Sequence, residues 1–379
     1  MPAVSKVLVV GGGIGGLTAA VALRRQGIAV DLIEIKPDLS VYGVGIIQPN
    51  NTLRALSQIG LAQPCIALGA AFPGWRIHDV AGKYLFDAPA TDSAAPGMPP
   101  INGITRPLFH KVLSEAAVGA GAAIRLGSSL ADIENRGTQV HVRFSNGSEA
   151  DYDFVIGCDG VYSDTRRRLF GETVKPLYAG QCVWRYNLSR PAKIQWGHLY
   201  FGPDSKVGLV PLSPTLMYMF IVTTEPENAR CPTANLARMM RERLSAYTGF
   251  VAELREQIVD PAGVVLKPLE NVLLPPPWVK GRTIIIGDAA HATTPHLAQG
   301  AAMAIEDAVL LGELLGRDGP LESLLEEFMA RRFERARFVI ESSRQISAWE
   351  QEQWRGIKNP EARPGELLRE ATLALMEPY

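Results

Sequence analysis

Apolar and polar positions follow two rhythms along this chain. Val7 to Val10 is a short run of β-branched residues and Leu, which reads as a buried strand. A glycine cluster follows, and then Leu17 to Gln26 carries apolar residues at helical spacing until Gly27 ends it. Val30 to Glu34 is a second apolar strand. Strand, helix and strand in this order predict a β-α-β unit with two parallel, neighbouring strands. Tyr42 to Asn50 reads as a glycine-rich connecting loop, and Asn51 to Ile59 as a helix. Between 66 and 100 the periodicity fades among Pro, Ala and Gly, which predicts excursions toward a second domain.

Arg106 to Val118 has helical periodicity, and Thr138 to Phe144 alternates as a strand before the hairpin turn Asn146-Gly147. Asp153 to Gly157 is another apolar strand. From about 176 to 266 the texture changes. Val183 to Asn187, His198 to Phe201, Val207 to Pro211 and Leu216 to Thr223 read as strands of a mixed or antiparallel sheet, with a helix over Thr233 to Ala246. Thr283 to Ile286 returns to a buried strand. A helix is predicted from about Gly300 to Leu315, and the remainder is helical and charged, with no internal repeat.

The bulk numbers bound this picture. A chain of 379 residues is too long for one simple core and predicts two packed domains, or one with a large insertion. A net charge of -1 gives no electrostatic case for nucleic acid or an anionic membrane surface. Cys65, Cys158, Cys182 and Cys231 stand singly, so neither a metal site nor a disulfide framework is expected. The chain enters its first strand without a leader pattern, and no stretch reaches the ~20 apolar residues of a membrane span. The expectation is a cytoplasmic protein, monomer or homodimer.

Three motifs carry chemistry. Gly11-Gly12-Gly13-Ile14-Gly15-Gly16 places Gly11, Gly13 and Gly16 in the GxGxxG register between a strand and a helix. Gly11 permits the turn, Gly13 lets backbone approach a pyrophosphate at the helix N-terminus, and Gly16 allows close helix–strand packing. Ile14 and Gly15 open that helix. Glu34 ends the second strand, where its carboxylate can accept from a ribose diol. The motif alone does not separate FAD from NAD. In the second motif, the strand ending at Gly157 is followed by Asp159-Gly160, Ser163 and Arg166. Read alone, Asp159 serves equally well as a helix cap. The third is Gly287-Asp288 after a strand, continuing through His291 to Pro295-His296-Leu-Ala-Gln299-Gly300-Ala301.

The second segment resembles the DG motif of the flavoprotein aromatic hydroxylases, the group A monooxygenases with a para-hydroxybenzoate hydroxylase-like fold, and the third resembles their GD motif. The three motifs stand in that family's order. The resemblance implies bound FAD, with Asp159 helping to hold it and Asp288 on its ribityl chain. It also implies that Pro295 to Gly300 lie at the flavin ring. The helix N-terminus at Gly300 and Ala301 would then support negative charge on the reduced flavin. Arg106 falls where the family has an Arg reaching the FAD phosphate and ribose; the plainer reading is a surface Arg at a helix start. One dinucleotide fingerprint implies that NADH or NADPH visits as a transient co-substrate.

The expected architecture is α/β. A Rossmann-like FAD-binding domain (1–70, 98–175 and 267–345) carries an inserted α+β substrate domain (71–97 and 176–266) and a C-terminal helical region (346–379). The implied activity is hydroxylation of a small hydroxylated aromatic or N-heteroaromatic acid with NAD(P)H and O2 through a flavin C4a-hydroperoxide, with or without decarboxylation. The flavin loop is most similar to that of hydroxypyridine-carboxylate monooxygenases. Candidate substrate residues are Arg185, Tyr186, His198, Tyr200 and Tyr218 in the inserted sheet and His291, Pro295 and His296 near the flavin. Tyr or His would take a hydroxyl proton, and Arg185 would pair with a carboxylate. Strand alternation forbids all of the sheet residues from facing one pocket. A hydroxylase of larger quinone or polyketide-type substrates and a non-catalytic FAD-binding redox sensor are the alternatives. No WxWxIP occurs, which speaks against a halogenase.

Overall fold

The computed structural model describes residues 1–41, 43–90, 97–227 and 231–379. Tyr42, and the parts of the 66–100 and 176–266 stretches at 91–96 and 228–230, lie outside the described residues.

The first layer is a six-stranded sheet in the order Val279–Lys280, Thr283–Ile285, Phe154–Gly157, Lys6–Val10, Ala29–Glu34, Ala123–Leu126. All neighbours are parallel except the short edge strand Val279–Lys280. The strands read as unbroken apolar runs because both faces are covered. Val7 and Val9 pack with Leu17 and Leu310, from the helices Ile14–Arg25 and Gly300–Leu315. Leu8 and Val10 face the other way, onto Val140, Val142, Phe144 and Tyr152 of a three-stranded antiparallel sheet over 130–152. The two helices approach so closely that a Cβ at Gly312 would lie 2.6 Å from the Cβ of Ala22.

The second layer is a seven-stranded sheet in the order Val265–Asn271, Leu177–Ser189, Leu216–Thr224, Ser205–Pro211, Gly197–Phe201, Gly74–Asp79, Tyr84–Pro89. One face is closed by the helices Leu236–Arg243 and Gly249–Arg255, through Trp184, Tyr200, Met219, Met240 and Val251. The opposite face meets a small sheet of Gly45–Pro49, Ile101–Thr105 and Ala70–Phe72 through Val44, Phe72, Ile101, Val210, Leu212 and Tyr218. The 34-residue helix Leu321–Trp354 spans both layers, with Phe328 in the first core and Trp354 against Val183 and Val222 of the second sheet.

Several elements differ from expectation. The predicted loop 42–50 contains a strand, Gly45–Pro49, paired with Ile101–Thr105, which periodicity also missed. Gly45 and Gly103 hide both strands from a propensity reading. Each is required: a Cβ at Gly45 would overlap Tyr218, and one at Gly103 the Pro211 carbonyl. The helix expected over 233–246 is a 3-10 turn, Thr233–Asn235, followed by Leu236–Arg243. Strand Val265–Asn271 pairs with Leu177–Ser189, so the chain leaves the second sheet after Asn271 rather than at 267. Strand Ala70–Phe72 pairs with Ile101–Thr105, outside the seven-stranded sheet. Among the described residues, no helix is long and apolar enough to cross a membrane.

Candidate active site

The carboxyl ends of three parallel strands converge where the strand order reverses, the place where such sheets bind ligands. The glycine loop after Val10 packs against the neighbouring loop. A Cβ at Gly11 (φ +107°) would lie 2.6 Å from the Cys158 carbonyl oxygen, and one at Gly16 would overlap the Gly11 carbonyl. The loop is held by side chains. Glu34 accepts from the Gly12 N–H at 2.7 Å and from the Lys36 N–H at 2.9 Å, and His110 bonds the Gly12 carbonyl at 2.8 Å. Glu34 keeps lone pairs for a diol. At Gly13 the pattern inverts: nothing stands within 4 Å of an added Cβ, and no side chain caps the helix Ile14–Arg25. The loop therefore offers bare amides over open space, the cradle that a pyrophosphate fills.

The Gly287-Asp288 turn faces the same space. Gly287 (φ +61°) and Gly15 both abut Ala304, which brings the first and third motifs to one point on the helix Gly300–Leu315. A carboxylate oxygen of Asp288 lies 4.0 Å from an added Cβ at Gly300, beside a helix start that no side chain caps. Asp288 sits deep in the protein, which pushes its carboxyl up against the pull of His291 and Arg106, yet it opens onto free space. Among the described residues, the side chains of Asp288 and Arg106 make no hydrogen bond or ion pair. A polyol beside Asp288 and a phosphate beside Arg106 would satisfy both. The donor set thus fits FAD: Gly11 to Gly16 would hold the pyrophosphate, and Gly300 and Ala301 would stand at the ring.

Asp159 is turned elsewhere. It accepts from the Thr165 N–H and hydroxyl, each at 2.8 Å, and from the Ser163 hydroxyl, so it braces its own loop at the start of helix Asp164–Phe170. Arg166 donates to the carbonyls of Ala289 and Val161, at 2.7 and 2.8 Å, which ties the second motif to the third.

The inserted sheet sorts its candidates by face. Arg185 stands opposite Phe220, and Tyr218 two residues on shares that face. All three share the face that meets the small sheet, and Arg106, which also acts on Asp288, acts on Arg185 and Tyr218. Burial lowers the Arg185 guanidinium to about 10; Tyr218 opposes the shift and Arg106 adds to it. Burial pushes the Tyr218 phenol up, and Arg185 and Arg106 pull it back. Among the described residues, the Arg185 guanidinium has no carboxylate or hydrogen-bond partner. His198, Tyr200 and Tyr186 are corrected away from this site, because they lie on the other face. His198 Nδ1 lies 2.9 Å from His78 Nε2, and the His78 ring stacks on Tyr200 at 4.6 Å. The Tyr186 hydroxyl accepts from Asp260.

The two loop histidines are structural. His291 bonds the buried Asp307, whose carboxylate also takes the Gly287 N–H and Arg332. Burial alone would raise Asp307; His291 and Arg332 outweigh it and hold it at about 2. His296 is corrected as a substrate base: its ring points into the long helix, with Nε2 3.2 Å from Glu350 and Nδ1 2.9 Å from the Thr294 hydroxyl. Glu350 also pairs with Lys206 of the second sheet. Pro295 opens a 3-10 turn closed by Ala298 at φ +56°, the one non-glycine in the left-handed region among the described residues. Sequence reasoning missed Glu350, Lys206 and the buried cluster of Glu306, Asp307, Arg332 and Arg335. The i, i+3 arginines on a helix otherwise apolar at those positions were the available signal.

Comparison with known proteins agrees with this geometry. The FAD_binding_3 family, described as an FAD binding domain, matches residues 4–343. The chain is 32% identical over 351 residues to the aurachin C monooxygenase/isomerase of Stigmatella aurantiaca, covering 91% of this chain and 90% of that protein. It is 30% identical over 355 residues to a 2-heptyl-3-hydroxy-4(1H)-quinolone synthase of Pseudomonas aeruginosa, covering 89% and 87%. The structure of HpxO of Klebsiella pneumoniae complexed with FAD and uric acid superposes with a TM-score of 0.84 at 24% identity, over 98% of this chain and 97% of that one. The chain belongs to this family of FAD-dependent monooxygenases.

Proposed function

We propose that this FAD-dependent monooxygenase hydroxylates a small hydroxylated aromatic or N-heteroaromatic acid, with electrons from NADH or NADPH and an oxygen atom from O2. Arg185 carries the reading: it is a half-buried, desolvated cation without a counter-charge among the described residues, placed mid-sheet on the face that looks toward the FAD cradle. An unpaired buried charge is costly, and a planar carboxylate that binds it in bidentate fashion offsets that cost. FAD, when bound, supplies the oxygen-activating chemistry.

The chain's own residues do the rest. Arg185 fixes the acid group and so orients the ring. Tyr218, kept protonated by burial, donates a hydrogen bond from its hydroxyl to a ring substituent. Val44, Ile47, Phe72, Ile101 and Leu212 exclude water around the ring. The uncapped N-terminus of helix Gly300–Leu315 favours negative charge beside it.

The test is anaerobic mixing of the FAD-loaded enzyme with NADH or NADPH and a panel of hydroxylated aromatic acids, following flavin bleaching. Acceleration by one acid, lost with about tenfold or greater weakening of its KM in Arg185→Met, is the expected result. Bleaching indifferent to every acid would sink the proposal. A second reading, a larger ring bearing an alkyl chain, is favoured by the apolar cluster around Phe72, Trp75 and Leu212 and by the name of the quinolone relative. The same panel decides between them.

A further inference from the structure

We infer that Gly208 sets which ring sizes the site accepts, by allowing Phe220 to lie flat as the floor under the substrate ring. This inference rests on the aromatic-acid reading above. One level of the second sheet runs across five strands as Arg185, Phe220, Gly208, Leu199 and Ile77. Directly opposed residues share a face, so all five look toward the FAD side.

Side chains on a strand ordinarily stand away from the sheet. Phe220 does not: a Cβ at Gly208 would overlap its Cε1 and Cζ, so the ring leans across onto the neighbouring strand and covers the bare glycine. Trp75 repeats the arrangement on the next level, where a Cβ at Gly197 would lie 2.6 Å from its ring. Phe220 and Arg185 both lie on interior strands of the sheet and both retain accessible surface, so the space above them is open. The result is a flat aromatic panel with a cation at one end and Leu199 at the other. A planar acid lies face-down on Phe220, its carboxylate on Arg185, and its second ring, if present, extends over Gly208.

Gly208→Ala forces the Phe220 ring to stand and to occupy that extension. The experiment measures dissociation constants of a monocyclic hydroxybenzoate and a bicyclic hydroxyquinoline carboxylate on the FAD-loaded enzyme, by calorimetry and by flavin absorbance shift. Gly208→Ala should weaken the bicyclic acid roughly tenfold more than the monocyclic one. Gly208→Ala with Phe220→Leu should recover most of the difference, because the smaller side chain tolerates the new Cβ. Equal weakening of both acids overturns the inference and leaves the aromatic-acid reading standing. Failure of both acids to bind the wild-type enzyme overturns both. If Gly208→Ala does not hold FAD, Phe220→Leu alone carries the test: both acids should lose roughly tenfold in affinity with FAD content unchanged, and unaltered affinity overturns the floor.

Discussion

His296 Nε2 lies 3.2 Å from a Glu350 carboxylate oxygen whose partner oxygen holds Lys206. The loop that carries Pro295 is therefore fastened, through one carboxylate, to the long helix and to the second sheet at once. Burial alone would raise Glu350; Lys206 and His296 keep it ionised, at about 2, while burial keeps His296 below its usual range.

Glu350→Gln keeps an acceptor for His296 but removes the charge beside Lys206. The loop should loosen without unfolding, and a larger share of NAD(P)H consumption should end as hydrogen peroxide instead of product. Oxygen uptake with and without catalase measures that share. An unchanged share would show that the fastening does not govern the loop.

Asp288 offers a split between stability and binding. Its carboxyl faces the open space of the cradle and, among the described residues, has no side-chain partner, so Asp288→Ala should leave the FAD-free protein as stable as before or more so, while weakening FAD by about ten- to a hundredfold. Thermal melting of the apoprotein and fluorescence titration with FAD read the two effects separately. A loss of apoprotein stability would contradict the assignment.

Arg332 is fully buried between Glu306 and Asp307. Arg332→Ala strands two carboxylates, and removal of one partner of a buried pair costs about 3–5 kcal/mol. Denaturant unfolding of the FAD-loaded protein should show a fall of that order. Arg335, which also holds Glu306 and donates to the Leu375 carbonyl, compensates only in part.

His198 predicts a pH slope. Burial, then His78 and Arg76, lowers it from 6.5 to about 4. Between those values the unfolded chain binds the proton and the folded chain does not. The contribution is fully present above about 6.5 and is lost as pH falls toward 4, by up to about 1.4 kcal/mol per pH unit. His198→Phe should flatten the stability profile in that window. A wild-type profile already flat there would refute the assignment.

Much of the cofactor side was legible. Gly11 to Gly16, Glu34 and Asp288 are placed by backbone turns and strand ends, which local sequence dictates. Asp159 was legible only as an alternative, because a carboxylate before Ser163 and Thr165 suits a cap as well as a ligand. The substrate side depended on which face a strand turns inward. Alternation shows that Arg185 and Tyr186 part company, but not which one looks toward FAD. That choice is made by the helices Leu236–Arg243 and Gly249–Arg255, which cover the Tyr186 and His198 face. The carboxylate partner of His296 lies 54 positions away, on Glu350, and no local pattern reveals it.

The parallel sheet is assembled from distant stretches, with Lys6–Val10 beside Phe154–Gly157 and that strand beside Thr283–Ile285. Its pairings are of high sequence separation, so the entropy of closing long loops must be met before the sheet is rewarded. The hairpins of the second sheet, Gly197–Phe201 with Ser205–Pro211 and Ser205–Pro211 with Leu216–Thr224, are local and close without Thr283–Ile285. A fragment ending near residue 175 would carry every residue of the first two motifs and still leave Phe154–Gly157 as an open edge. Refolding of the whole chain should accordingly pass through a species with these antiparallel hairpins formed and no capacity for FAD, and cofactor added at that stage should be captured only after Thr283–Ile285 has docked.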